Sequence, residues 1–281
     1  MQKLLITGGS GYLGGELVRH ALATGQWDVT ATYANNWASI DGAHVVQLDV
    51  RDQQSVSMLI HAAAPDVILH TAYVQHNPDL WAITAEGAGH VAHAARELGA
   101  RLIHLSSDAL FDGERQGFYT ENDPPSPITP YGEAKAGAER LVAERYPAAL
   151  IVRTSLIYGG TTPSPHEQLV LRALNADTEI AFFTDELRSP VQVGDLASAL
   201  LELASTNLGG VLHVAGADVV SRYEFACLIA RHAGEQAERL RSGSSALSGA
   251  RRPRNVALDI TRAQALLTTR LRGARTVLKD V

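Results

Sequence analysis

Short apolar runs alternate with longer amphipathic stretches through the first half of the chain. Runs of about five residues rich in apolar and β-branched side chains predict strands, and longer stretches with apolar positions three and four apart predict helices. Such an alternation is typical of βαβ units, whose right-handed crossovers build a doubly wound parallel sheet of the α/β class. The predicted strands are Lys3–Thr7, Asp28–Tyr33, His44–Asp49, Asp66–His70, Arg101–Ser106 and Ala149–Ile157.

The pattern changes after Gly159, where predicted elements become shorter and loops longer. We expect a Rossmann-type first domain over residues 1–160, to which a later segment of about 190–215 returns. Residues 161–281 are expected to form mainly a smaller C-terminal substrate-binding lobe at the carboxyl edge of the sheet.

Composition narrows the class of protein. The chain has 281 residues, of which 46% are hydrophobic and 19% charged, so it is neither disordered nor fibrous. No apolar run approaches the roughly 20 residues of a membrane span, and the pattern shows no signal-peptide cleavage region. The single cysteine, Cys227, excludes an internal disulfide framework and a cysteine-rich zinc site. We expect a cytoplasmic protein of the enzyme type.

The net charge of −6 conceals an uneven distribution. Residues 239–281 contain 10 basic and 2 acidic side chains, whereas residues 1–238 contain 14 basic and 28 acidic ones. An acidic body with a basic end suggests an anionic partner. Nucleic acid is not expected, because neither an aromatic pattern nor a binding motif accompanies the arginines.

A glycine-rich loop, Thr7–Gly14, follows the first strand and opens a helix with the pattern TGxxGxxG. Gly8 permits the turn off the strand, Gly11 lets backbone approach a pyrophosphate, and Gly14 allows close packing of the helix on the sheet. The free N–H groups of the helix N-terminus then face the phosphates. In this context the loop predicts a dinucleotide site, with candidates Gly8, Gly11, Tyr12 and Leu13.

The end of the second strand bears on the choice of cofactor. Sites that prefer NAD usually place an acidic residue there to bind the ribose, but this chain has Tyr33, Asn35 and Asn36. Nothing there would repel a 2′-phosphate, so we predict NADPH and keep NADH as the alternative. Asp49, at the end of the third strand, either accepts a hydrogen bond from an adenine amine or simply forms a strand-end turn.

Tyr131 and Lys135 are four residues apart on a predicted helix, so their side chains share one face. An ammonium beside a phenol favours the phenolate and suits the tyrosine to donate a proton to a carbonyl group. Ser107 lies at the carboxyl end of the fifth strand, where its hydroxyl can orient a substrate carbonyl. These three residues are the candidate catalytic set.

Together these features resemble the extended short-chain dehydrogenase/reductase superfamily, and most closely the dTDP-4-dehydrorhamnose reductase family. The closest likeness lies in the segments Ser106–Gly113, Tyr131–Lys135 and Val152–Gly159. That family reduces the C4 ketone of a nucleotide-linked 6-deoxyhexose with NAD(P)H. The resemblance implies that Tyr131 is the acid/base, and that Lys135 binds ribose and tunes the tyrosine.

The resemblance also implies further site residues. The cofactor would meet residues of three later segments, namely Asp49, Val50, Thr71, Ala72, Tyr73 and Ser155. The substrate would meet Ser107, Asp108, Tyr131 and two candidates in the second lobe, Arg188 and Arg254. Among the basic residues of the C-terminal end, Arg252 and Arg254 are those expected to face the substrate, and the others offset the acidic body.

Some positions depart from the family pattern. His70–Tyr73 replaces a more usual Asn-Ala-Ala type, and Ile83–Thr84 lies where the superfamily often has an asparagine. Ala109 stands where nucleotide-sugar dehydratases have a glutamate base, which argues against dehydration. The family's usual aromatic residue after the aspartate is also missing, so the sugar pocket is expected to differ.

Two alternatives to a reductase remain open. One is an epimerase on the same fold that retains NAD, and the other is a non-catalytic NADP-binding regulatory subunit. We expect a nucleotide-sugar substrate as the small-molecule partner, no contact with nucleic acid or membrane, and a homodimer as an open option. No metal site is expected, because His90 and His93 share a helix with no third ligand, and Cys227 is expected in the core.

Overall fold

The computed structural model describes residues 1–35, 40–76, 78–175, 179–249 and 251–279. Strands within these ranges are mostly short, as the sequence pattern predicts. They are β1 (Gln2–Thr7), β2 (Trp27–Tyr33), β3 (His44–Gln47), β4 (Val67–His70), β5 (Arg101–Leu105), β6 (Leu150–Arg153), β7 (Ile157–Tyr158), β8 (Ala181–Phe183), β9 (Leu187–Arg188), β10 (Val191–Gln192), β11 (Gly210–His213), β12 (Val220–Ser221) and β13 (Arg241–Gly243).

Helices connect the strands, and a π-helical segment, Ala82–Glu86, leads directly into one of them. Short 3₁₀ turns lie at Asp108–Leu110, Ala237–Arg239 and Ser245–Leu247. The α-helices are α1 (Tyr12–Thr24), α2 (Gln53–Ala63), α3 (Gly87–Leu98), α4 (Pro130–Arg145), α5 (Pro165–Asn175), α6 (Val193–Ala204), α7 (Arg222–His232), α8 (Thr261–Leu266) and α9 (Ala274–Val277).

Seven of the described strands form one sheet in the order β11-β6-β5-β4-β1-β2-β3. The pairings from β3 through β6 are parallel. The chain order reverses between β1 and β4, and the crevice outside the carboxyl ends at such a switch point is where doubly wound sheets bind ligands. The predicted fold class is therefore confirmed.

The chain divides into two compact units. The first contains residues 1–107, 130–153 and 197–212, and the second contains residues 108–129, 154–196 and 213–281. The first unit thus lacks the segments 108–129 and 154–160, which lie inside the sequence-based range 1–160. The division into a cofactor domain and a substrate lobe stays a prediction.

Each unit has its own apolar core. In the first, sheet residues such as Leu5, Ile68 and Leu102 pack against Val91 of α3 and Val142 of α4. Strands buried on both faces lack strict alternation, which accounts for the continuous apolar runs in the sequence.

In the second unit, Tyr158, Val170, Phe182 and Phe225 form the centre of another core, in which the rings of Tyr158 and Phe225 meet edge-on at 5.3 Å. Cys227 is buried in this core. None of the described helices is long and apolar enough to cross a bilayer.

Three predicted elements differ from the structure. The predicted strand Ala149–Ile157 is interrupted between β6 and β7, where the carbonyl of Thr154 accepts a hydrogen bond from the Asp108 amide rather than continuing the sheet. The alanine-rich stretch Leu80–Leu98, whose pattern predicts one long helix, begins with the π-helical segment. The pattern of residues 255–258 predicts a short strand, but the structure has isolated bridges there, from Asn255 to Leu187 and from Leu258 to Tyr119.

Candidate active site

The glycine loop after β1 forms a cradle that side chains would fill. Gly8 has a φ of +75°, and a Cβ on it would lie 2.7 Å from the Ala72 backbone nitrogen. Gly11 precedes α1 as its N-cap residue, and no side chain among the described residues caps this N-terminus. A helix N-terminus without a side-chain cap, beside a cradle that side chains would fill, fits the pyrophosphate of a dinucleotide.

The segment after β4 runs beside this loop. The Thr71 hydroxyl donates a 2.8 Å hydrogen bond to the Thr7 carbonyl, and the Thr71 amide donates to the same oxygen at 3.1 Å. The Thr84 hydroxyl lies 3.2 Å from both the amide nitrogen and the carbonyl oxygen of Val74. The segment that carries Ala72 and Tyr73 is therefore fixed at both ends.

Tyr131 and Lys135 lie one turn apart on α4, and Tyr73 contacts both. The ring centroids of Tyr73 and Tyr131 are 5.8 Å apart, and the Nζ of Lys135 lies 4.7 Å from the Tyr73 centroid. Lys135 Nζ also donates a 2.9 Å hydrogen bond to the carbonyl oxygen of Leu105, the last residue of β5. Ser107 lies two residues after Leu105. The three predicted catalytic residues, Ser107, Tyr131 and Lys135, all belong to the first unit.

Close packing positions α4 itself. The ring of Trp81 lies against Gly137, where a Cβ would come within 2.5 Å of the ring. The side chain of Glu139 forms a buried ion pair with Arg153 of β6, in which Arg153 Nη2 is 2.8 Å from Glu139 Oε2. A glycine two residues after Lys135 and an ion pair one turn after it thus hold the helix to its neighbours.

The surroundings of Lys135 are dry and short of negative charge. Burial lowers the pKa of its ammonium group to about 8, and Glu139 partly opposes this effect. His70 and His104 are paired in register on β4 and β5, with their rings stacked at 5.3 Å. Burial lowers the pKa of His70 to about 3 and holds that of His104 well below its ordinary value, so both rings are neutral near pH 7.

The predicted adenine end of the site is built around a cation that the sequence reasoning missed. Arg51 donates to both carboxylate oxygens of Asp49 and also pairs with Asp79 at 2.5 Å. Hydrogen bonds from Arg51 lower the pKa of Asp49. Val50, between these two residues in the chain, is buried, and a Cβ at Gly87 would lie 2.7 Å from its Cγ2.

Other predicted cofactor contacts have simpler settings. Tyr12 and the buried Leu13 begin α1, and Tyr33 ends β2. Asn36 lies outside the described residues.

In the second unit, Asp108 and Ser155 form a buried hydrogen-bonded pair. The Ser155 hydroxyl donates to Asp108 Oδ2 at 2.6 Å and accepts from the Ser189 amide at 3.2 Å. Ser189 in turn accepts from the Leu258 amide. These bonds tie four distant segments together, and the predicted ligand contacts of Asp108 and Ser155 stay predictions.

Arg188 is also buried in the second unit, where backbone carbonyls use most of its donors. Its guanidinium donates to the carbonyl oxygens of Leu187, Pro253 and Arg254, at 2.8, 2.9 and 3.0 Å respectively. Arg188 therefore holds the 253–254 segment in place. Its predicted contact with the substrate stays a prediction.

A cavity of about 750 Å³ lies in the second unit beside that segment. The exposed Arg254 pairs with Glu114 at 2.5 Å, and Arg252 pairs with the buried Glu186 and lies over the Phe183 ring. The charged and hydroxyl-bearing residues that line the cavity are Asp112, Glu114, Ser126, Ser245, Arg251, Arg252 and Arg254. Guanidinium groups of this kind suit a phosphate-bearing ligand.

Other arginines of the basic end pair with acidic residues of the same unit. Arg272 binds Asp195 through two donors, and Arg275 binds Glu224 at 2.7 Å. The uneven charge of the sequence is thus partly neutralised within the fold. No group of three metal-ligating side chains occurs among the described residues.

Comparisons with known proteins give matches over most or all of the chain. The family model described as "RmlD substrate binding domain" matches residues 1–281. The dTDP-4-dehydrorhamnose reductase of Mycobacterium tuberculosis H37Rv is 32% identical over 257 residues, which cover 87% of this chain and 80% of that protein. Methionine adenosyltransferase 2 subunit beta of Mus musculus is 30% identical over 300 residues, covering 99% of this chain and 86% of that protein.

A solved structure shares the whole fold. The crystal structure of dTDP-4-dehydrorhamnose reductase from Bacillus anthracis, in complex with NADP, matches with a TM-score of 0.84 and 26% identity. The match covers 99% of this chain and 98% of that one.

Proposed function

The chain belongs to the RmlD substrate-binding domain family, and on this premise we propose that it is an NAD(P)H-dependent reductase of a nucleotide-activated sugar. Its substrate is the C4 ketone of a 6-deoxy-4-keto sugar, as in the dTDP-4-dehydrorhamnose reductases it resembles. NADPH is the proposed cofactor, with NADH as the alternative, because a similar structure holds NADP and the end of β2 carries no acidic residue in its described part.

One observation carries the proposal. Tyr131 and Lys135 share one face of α4, and the Lys135 ammonium is anchored to the Leu105 carbonyl at the carboxyl end of β5, directly before Ser106 and Ser107. A proton donor, a cation that tunes it and a hydroxyl for the carbonyl are thereby supplied by neighbouring elements.

The cofactor's binding residues follow from the cradle described above. Gly8, Gly11 and the N-terminus of α1 would hold the pyrophosphate, and Thr71–Tyr73 would lie along the dinucleotide. When bound, the nicotinamide supplies the hydride for the reduction.

The chain's own residues manage the proton and the charge. The Ser107 hydroxyl donates a hydrogen bond to the ketone oxygen and holds it in place. The Tyr131 phenol delivers the proton to this oxygen as negative charge develops there. The Lys135 ammonium stabilises the resulting phenolate, and the dry surroundings of Lys135 strengthen that interaction.

Neighbouring reaction types are less well supported. Ala109 cannot serve as the base of a dehydratase. The intact Tyr131–Lys135 arrangement supports catalysis over a regulatory role of the kind that the name of the mouse relative suggests.

A Tyr131→Phe variant tests the assignment. Turnover of NADPH with dTDP-4-keto-6-deoxyhexoses should fall by about 10²- to 10⁴-fold, because a general acid is lost, while the Kd for NADPH stays within about twofold of wild type. Tyr146→Phe, just after the same helix, is the matched control and should retain full activity. If wild-type protein oxidised neither NADPH nor NADH with these sugars, the reductase proposal would fail, and a stoichiometric partner enzyme would favour the regulatory role.

A further inference from the structure

We propose that Tyr73 is a positioning residue for Lys135, whose ammonium group it holds against the face of its ring. The contact itself is independent of the proposed function, and only its effect on catalysis rests on the proposed role of Lys135 in the reductase reaction. The likeness to known reductases places Tyr73 along the cofactor, whereas the new assignment concerns its contact with the lysine.

The contact has the geometry of a cation–π interaction. Lys135 Nζ lies 4.7 Å from the centroid of the Tyr73 ring, inside the distance of about 6 Å at which such pairs attract. The same ring lies 5.8 Å from that of Tyr131, tilted by 46°. Tyr73 therefore touches both members of the catalytic pair.

Lys135 depends on this contact because its other surroundings give it little compensation. The side chain of Lys135 is only 4% exposed. Within the described chain its ammonium group donates a hydrogen bond to the Leu105 carbonyl oxygen. A buried ammonium with few partners is costly unless some group stabilises its charge.

The charged and titratable groups that face the lysine come from several elements. Glu139 on α4 is the carboxylate that favours the charged lysine, and Arg153 already engages both of its oxygens. His70 on β4 and His104 on β5 are neutral rings that supply no negative charge. The π-face of Tyr73 is thus a major source of stabilisation for the ammonium.

The backbone that carries Tyr73 is held on both sides of this residue. On one side of it, Thr71 bonds to Thr7, and on the other side Thr84 bonds to both backbone groups of Val74. Thr84 is fully buried and belongs to the π-helical segment, a distortion that often occurs at functional sites. Because Tyr73 is 48% exposed, substitution of its side chain should leave the core intact.

The chain offers a direct test, since its lysines are Lys3, Lys135 and Lys279. Lysine labelled with ¹³C at the ε position can be titrated by NMR in the full-length protein, with a Lys135→Arg variant to assign the resonance. Tyr73→Leu should lower the pKa of Lys135 by about half to one and a half pH units relative to wild type, the equivalent of a lost cation–π contact. Tyr73→Phe keeps the ring and should titrate like wild type.

Tyr73→Trp gives a prediction of the opposite sign, because indole attracts cations more strongly, so the pKa of Lys135 should rise. The Lys3 and Lys279 resonances should not change in any variant. Equal Lys135 titrations in wild type, Tyr73→Leu and Tyr73→Trp would overturn the proposal. This readout needs no turnover, so it stands apart from a failure of the proposed reductase activity.

Kinetics provide the second measurement in an active enzyme. Tyr73→Leu should move the alkaline limb of kcat to lower pH and reduce kcat by about tenfold at pH 8, with Tyr73→Phe restoring both. A fall in kcat with an unchanged pH profile would point to a steric role of Tyr73 and count against the proposal.

Discussion

Glu139 and Arg153 form an ion pair between α4 and β6 in which the side chains are only 7% and 3% exposed. Both carboxylate oxygens accept hydrogen bonds from the guanidinium, at distances from 2.8 to 3.2 Å. The pair lies one helical turn beyond Lys135, so it ties the middle of α4, the helix that carries two of the proposed catalytic residues, to the sheet. A buried pair of this kind is costly to break on one side only.

Replacement of one partner should therefore destabilise the protein strongly. Arg153→Met leaves the Glu139 carboxylate buried without its partner and should lower the free energy of unfolding by about 3–5 kcal/mol. The double variant Glu139→Met/Arg153→Met removes both charges and should recover much of this loss. Urea denaturation followed by circular dichroism measures all three proteins. If the double variant were less stable than Arg153→Met, the ion pair would not be the source of the effect.

Alanine substitution of two glycines with similar φ angles should affect stability and NADPH affinity differently. Gly8 has a φ of +75° and Gly25 a φ of +64°, but only a Cβ at Gly8 would meet neighbouring backbone. Gly25→Ala should cost about 1–2 kcal/mol for the left-handed conformation alone. Gly8→Ala should cost more and also weaken NADPH binding by at least about tenfold, because the loop must move away from Ala72. Calorimetric titration with NADPH distinguishes the two variants. Equal NADPH affinities of Gly8→Ala and Gly25→Ala would contradict a role of the loop in cofactor binding.

The buried histidines predict a loss of stability toward acid. His70 and His104 stay neutral in the folded protein, whereas in the unfolded chain they titrate near pH 6.5, so unfolding takes up protons below that pH. The stability that depends on the neutral rings is therefore complete above pH 6.5 and is lost as the pH falls, for His70 down to about 3, and for His104 in the same direction. Each histidine should cost about 2 kcal/mol between pH 6.5 and 5.

His104→Leu tests this linkage, because neither ring nitrogen of His104 has a hydrogen-bond partner within the described chain. Relative to wild type, the variant should gain about 2 kcal/mol of stability when the pH is lowered from 7.5 to 5. Urea denaturation at the two pH values provides the measurement. A pH-independent difference between the proteins would contradict the neutral state of His104.

The cavity of the second unit predicts an effect on substrate affinity. Arg254→Ala should raise the KM for the nucleotide sugar by about tenfold with little change in kcat, because a lost charge-assisted bond to phosphate weakens the ground state and the transition state alike. Arg241→Ala, an exposed arginine that does not line the cavity, is the control and should leave the KM unchanged. An unchanged KM in Arg254→Ala would separate the basic C-terminal segment from substrate binding.

Glu114→Gln gives a companion test of the same cavity. The Glu114 carboxylate accepts a hydrogen bond from Arg254, so it would compete with a phosphate for this guanidinium group. Its neutralisation should lower the KM for the nucleotide sugar, by up to about threefold for an exposed pair. An increased KM would instead assign Glu114 itself to the ligand.

Local patterns in the sequence correctly predicted the sheet and the family. The strand–helix alternation predicted the sheet, and the family suggested by Ser107, Tyr131 and Lys135 is confirmed by a match over the whole chain. The glycine pattern also indicated where a left-handed backbone conformation would occur, at Gly8. These inferences depend on spacings of a few residues, which local backbone geometry converts directly into structure.

The environment of Lys135 could not be predicted in the same way. Leu105, which accepts its hydrogen bond, is 30 residues away, and the contacts with Tyr73 and the neutral His70–His104 pair depend on strand register. Arg188 was a candidate for the substrate from the resemblance, yet its bonds to the 253–254 carbonyls connect residues 65 and 66 apart. No local pattern carries such information.

The sequence by itself determined the fold class, the glycine-rich turn after the first strand and the placement of Tyr131 and Lys135 on one face of a helix, because periodicity and the conformational demands of glycine act over single turns and strands. The tertiary structure alone decided that Lys135 is buried against a tyrosine ring with little negative charge nearby, and that much of the basic C-terminal end is paired with acidic side chains. Burial and charge compensation depend on which distant segments the folded chain brings together, so they appear only once the strands are in register.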